Sequence, residues 1–164
     1  MHATTRTSFL IEELHRAFDG DPWHGPSVTQ IIRGLSARQA QTKPGGEAHS
    51  IAEIVAHMTV WVSEVTRRVS GHPAGDPVEG DWPLPRAIDE AGWAAMHLQL
   101  ANAMAKLTET VAGFPESRWD DMVGDARIAS LGTGVSYAQT VSGVVQHLAY
   151  HGGQIAILRK LAGW

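Results

Sequence analysis

The chain has 164 residues, a formal net charge of -4, 43% hydrophobic and 18% charged residues, which fits one globular domain over residues 1–164 and excludes a disordered polymer. An acidic balance offers no basic surface for nucleic acid, and no apolar run approaches the length of a membrane span. With nine histidines and no cysteine, disulfides and thiolate chemistry of the chain's own are excluded, and any metal ligands must be His, Asp or Glu.

The N-terminal stretch MHATTRTSFLIEELHRAF lacks the basic start, apolar core and small-residue cleavage site of a secretory signal, so a soluble cytoplasmic protein is expected. From about Thr7 to Asp19, Phe9, Leu10, Leu14, Ala17 and Phe18 recur at helical spacing, and Gly20 with Pro22 ends the helix. Ser27 followed by Gln30 has the form of a capping box and predicts a short helix from Val28 to about Gln39, closed by the KPGG turn. Ser50 and Glu53 repeat the box and open a long helix, Ile51 to Ser70. Its apolar stripe is Ile51, Ile54, Val55, Met58, Trp61, Val62, Val65 and Val69, with Gly71 at its C-terminal end.

The stretch GHPAGDPVEGDWPLPRA holds four prolines and three glycines and reads as a long crossover connection. A third long helix follows from about Asp89 to Val111, turning Trp93, Met96, Leu100, Met104, Leu107 and Val111 inward. From Phe114 to Gly134 the pattern is irregular, with a short helical turn expected near Pro115–Trp119. Whether Ala126–Leu131 is extended stays undecided. Ser136 and Gln139 form a third capping box and start the last helix, which runs to Lys160 on a seam of Val141, Val144, Leu148, Ile155 and Leu158. Four long helices, two long connections and no convincing strand pair predict an all-α four-helix bundle.

His147 and His151 lie four residues apart on the last helix. At about 3.6 residues per turn both imidazoles share one face, as paired metal ligands do. His57 is the natural third candidate, because it stands in mid-helix beside an apolar stripe. Glu53 and Glu64 project from the same side of that helix as His57. The other histidines, His2, His15, His24, His49, His72 and His97, read as surface or structural residues.

The segments WHGPSVTQII, HSIAEIVAHMTVWVSEVTRRVSGHP and QHLAYHGGQIAILRK together bracket nearly the whole chain. They resemble the DinB-like (YfiT-like) four-helix-bundle metalloproteins, and the terminal H-L-A-Y-H-G-G-Q-I run is the most specific part. The resemblance implies that His57, His147 and His151 bind a divalent metal. It also implies either a metal-dependent hydrolase or a transferase or isomerase using a low-molecular-weight thiol such as bacillithiol or mycothiol, with homodimers common.

Three imidazoles suit Zn, Ni, Fe or Cu, and three protein ligands leave a coordination position open for chemistry on a small molecule. Around this set Gln154 is expected to orient a ligand and Glu64 to accept the free N–H of His57 or serve as a base. Tyr150 reads as structural, and Trp61, Trp82 and Trp119 are candidates for a pocket mouth, with core packing the simpler role. The alternative function is a non-catalytic, stress-associated metal-binding or dimerisation module.

Overall fold

In the computed structural model, residues 5–43, 45, 48–83, 87–124 and 126–164 are described. His2, part of the KPGG turn and Leu84–Arg86 of the long connection lie outside them. Among the described residues six α-helices form: α1 (Arg6–Phe18), α2 (Val28–Ile32), α3 (Ala37–Gln41), α4 (Ile51–Val69), α5 (Glu90–Ala112) and α6 (Tyr137–Ala162). The four long ones make the bundle, with α1 and α4 each packing against both α5 and α6.

Local chemistry sets the helix ends. Ser50 Oγ accepts the Glu53 N–H at 3.2 Å while Glu53 Oε2 accepts the Ser50 N–H at 2.7 Å, so two otherwise unpaired amides at the start of α4 are satisfied. Ser136 and Gln139 do the same for α6 at 3.2 and 2.9 Å. The next free amides of α6, from Tyr137 and Ala138, donate to the carbonyls of Asp121 and Trp119. That docks the last helix on the segment before it.

Two elements depart from the sequence expectation. The helix expected over Val28 to Gln39 is two short helices, because Gly34 takes a φ of 76° and Ser36 starts afresh with its own capping box to Gln39. A positive φ cannot continue a right-handed helix, whatever the apolar spacing. A two-residue antiparallel pair also forms between β1 (Met122–Val123) and β2 (Val135–Ser136), and Ala129–Leu131 between them is a 3-10 turn rather than extended chain. The excursion closes at Gly134, where a Cβ would lie 2.7 Å from the Arg127 Cα, so only glycine fits.

The core is one cluster fed by all four long helices, including Leu10 and Leu14 of α1, Val55 and Met58 of α4, Leu100 and Leu107 of α5, and Leu148 and Ile155 of α6. Phe9 falls on the solvent side of α1 at 51% exposed. Met96 and Leu158 are partly buried at the margin of the core. No helix among the described residues is long and apolar enough to cross a membrane.

Candidate metal centre

The bundle places α4 beside α6, and there His57, His147 and His151 meet, with one ligand-type atom of each within 4.8 Å of the others. His57 and His151 are buried and His147 is partly so. The Nε2 atoms converge: His57 to His147 is 2.9 Å and His151 to His147 is 3.0 Å.

What lies behind the rings fixes which nitrogen carries the proton. The backbone carbonyl of Asp81 lies 2.6 Å from His57 Nδ1. A carbonyl only accepts, so Nδ1 is the N–H and Nε2 holds a lone pair. Gln154 Oε1, at 2.6 Å from His151 Nδ1, has the same effect on the second ring. His147 Nε2 faces both lone pairs and can donate a hydrogen to one of them at most. At least one of these two contacts near 3 Å therefore has no hydrogen between its nitrogens unless a cation lies among them. The donor set fits a divalent metal.

Electrostatics point the same way. Burial pushes the His147 imidazole down to about 3, and the neighbouring His151 and His57 add to the push. Burial also lowers His57 and His151, against the opposing pull of the Asp81 carbonyl on the first and Gln154 on the second. Imidazoles that resist protonation keep their lone pairs available to a metal.

An aromatic stack supports the first ligand. Trp82 lies parallel to the His57 ring, with centroids 3.8 Å apart, and its other face is covered by His49 at 3.7 Å. Trp61 Nε1–H donates to Asp81 Oδ1 at 2.6 Å. The pair Asp81–Trp82, within the long connection between α4 and α5, therefore holds His57 from behind and from one side.

The structure brings Gln154 to the site but not Glu64. The Glu64 carboxylate, 2% exposed, is bound by Arg68 Nε at 2.9 Å and by the Gly75 amide at 3.0 Å, so the role of acceptor for His57 passes to the Asp81 carbonyl. Glu53 is likewise taken up by its capping box and by Lys43 at 2.9 Å. Tyr150 is 65% exposed on the outside of α6. Trp119 is a core residue at 1% exposure whose Nε1–H donates to Thr7 Oγ1. Of the other histidines, His24 and His72 are exposed, His15 faces Asp19 on α1, and His97 packs edge-on against Trp93.

Asp81 was not legible as a site residue, because its contribution to His57 is a main-chain carbonyl that any residue could supply. Arg68 was missed as well. It extends from α4 to the Gly75 carbonyl at 2.9 Å and to the Leu131 carbonyl, tying both long connections to one helix. Beneath the second connection lies a mostly apolar pocket of about 370 Å³ with His57 and His147 in its wall.

A family model described as the DinB superfamily matches residues 23–155, a span containing all three histidines. No curated protein and no solved structure matches the chain.

Proposed function

The chain belongs to the DinB superfamily, and on that premise we propose that it is a metal-dependent enzyme acting on a small molecule, as a hydrolase or as a transferase using a low-molecular-weight thiol. The observation that carries this reading is the convergence of three Nε2 atoms, with two of the rings, His57 and His147, in the wall of a pocket. His57, His147 and His151 hold the ion, with zinc, nickel or iron suited to an all-imidazole set. A divalent ion there supplies Lewis acidity, lowering the pKa of a water or thiol brought to it.

The remaining work falls to the chain's own side chains. The Asp81 carbonyl and Gln154 Oε1 keep the two outer rings in the ligand tautomer. Trp61, Val65 and Val144 line the pocket and give it apolar walls. Asp81 also brings a carboxylate to the pocket, 53% exposed and oriented by the Trp61 N–H. It takes the proton-accepting role that Glu64, locked against Arg68, cannot reach. A non-catalytic binding or dimerisation module would need no cavity leading to the ligands.

Metal analysis of the purified chain beside a His147→Ala variant tests the reading. Bound divalent metal in the first and its loss in the second is the expected result. Equal absence of metal from both would refute it. A thiol-consumption assay and an ester or amide hydrolysis assay on the loaded protein then separate the two chemistries.

A further inference from the structure

The pocket wall contains a glycine that the helix itself does not require. Gly143 lies inside α6, where glycine is among the least favourable residues. Its φ is not positive, and an ideal Cβ built on it meets nothing within 4 Å. Neither backbone geometry nor close packing calls for glycine at this position. What lies beside it is the pocket of about 370 Å³, also lined by Trp61, Val65, Leu131 and Val144, a compact volume for a small-molecule site.

Several of the polar groups around that space are already engaged, and the Ser130 hydroxyl beside them is uncharged. Arg68 gives its guanidinium to Glu64, Gly75 and Leu131. Thr140 Oγ1 donates to the Ser136 carbonyl at 3.0 Å, and Gln139 Oε1 accepts the Ser136 amide at 2.9 Å. Of the lining carboxylates and cations other than histidine, Asp81 alone has no opposite charge held against it in the pocket, and it is negative. Away from the histidines, where a bound ion would be cationic, an anionic group would lose its hydration and find no free cation among the described residues of the wall, whereas an apolar group would gain contact with it.

We propose that this pocket selects an uncharged, largely apolar substrate group and that Gly143 sets its size by leaving space a larger side chain would fill. The inference rests on the reading of the three histidines as a metal site that the pocket reaches through His57 and His147.

The test titrates the full chain loaded with zinc against phenylmethanethiol and 3-mercaptopropionate, which share a sulfur donor and differ in an apolar or anionic body. Wild type should bind the first more tightly by roughly tenfold or more. Gly143→Leu should lose that advantage, and Gly143→Ala should lose part of it, with zinc content and helical signal unchanged in both. Equal or tighter binding of 3-mercaptopropionate by wild type overturns the proposal, as does undiminished phenylmethanethiol binding by Gly143→Leu. A separate titration of the metal-free chain with toluene, followed by the methyl resonances of Leu131 and Val144, keeps the two readings distinct. A chain that holds no zinc refutes the metal reading alone. Toluene bound by wild type and lost in Gly143→Leu still supports the pocket, and toluene bound by neither or equally by both overturns it.

Discussion

Replacing Arg68 by leucine should unfold the protein far more readily while leaving its three histidines intact. Arg68 and Glu64 are 3% and 2% exposed and 2.9 Å apart, so the substitution strands a carboxylate in the interior. The remaining cation, Arg67, is 47% exposed and 3.4 Å away, and the Gly75 amide gives one further bond. Removing one partner of a buried pair costs about 3–5 kcal/mol, more than any exposed ion pair of this chain can return. For a domain of this size each kcal/mol moves the melting temperature by about 2–4 °C. The expected fall is therefore roughly 6–20 °C.

The double variant Glu64→Leu with Arg68→Leu removes both charges together. It should lose less than Arg68→Leu alone, although the Gly75 and Leu131 carbonyls still forfeit a donor. Thermal and urea unfolding of wild type, both single variants and the double variant measure the cycle. An Arg68→Leu protein within about 1 kcal/mol of wild type, or strict additivity across the cycle, would refute the reasoning. Zinc content should not change, because none of these bonds touches a histidine of the cluster.

Other expectations follow from the same geometry. Gln154→Leu removes the acceptor of the His151 Nδ1–H and should weaken metal binding by about 10–100-fold with little change in melting temperature; a competitive chelator titration reads both wild type and variant. The two tryptophans should behave oppositely: Trp119→Ala costs about 3–5 kcal/mol of stability with metal affinity unchanged, whereas Trp82→Ala, which uncovers the His57 ring, weakens the metal and spares the fold. The metal-free protein should lose stability on acidification. His147 is pushed down to about 3 in the fold, against about 6.5 when unfolded. Its neutral form thus contributes fully above about 6.5, and that contribution drains away as the pH falls from there toward 3. Metal-free wild type should lose melting temperature relative to His147→Leu as the pH drops across this range, and parallel curves would contradict the assignment.

Much of this architecture was open to reading from residues alone, because its signals are local. The Ser50–Glu53 and Ser136–Gln139 boxes start α4 and α6 where the sequence places them, since a cap is made within one turn of chain. Apolar spacing marked the buried faces of those helices for the same reason, and the four-residue interval put His147 and His151 on one side of α6. The break at Gly34 was hidden, as glycine is disfavoured in a helix but not excluded from one, and packing decides between helix and turn.

The sequence by itself determined a helical bundle, the helix starts and a ligand-type face on the last helix, all of them consequences of neighbours within about four residues. The tertiary structure alone decided the site's surroundings. It turned the Asp81 carbonyl and the Trp82 ring toward His57 across 24 and 25 positions of chain. It drew Glu64 away to Arg68, and it opened a pocket against Gly143. Main-chain acceptors carry no side-chain signature, and an empty volume belongs to no residue. Both come into existence only when distant segments pack.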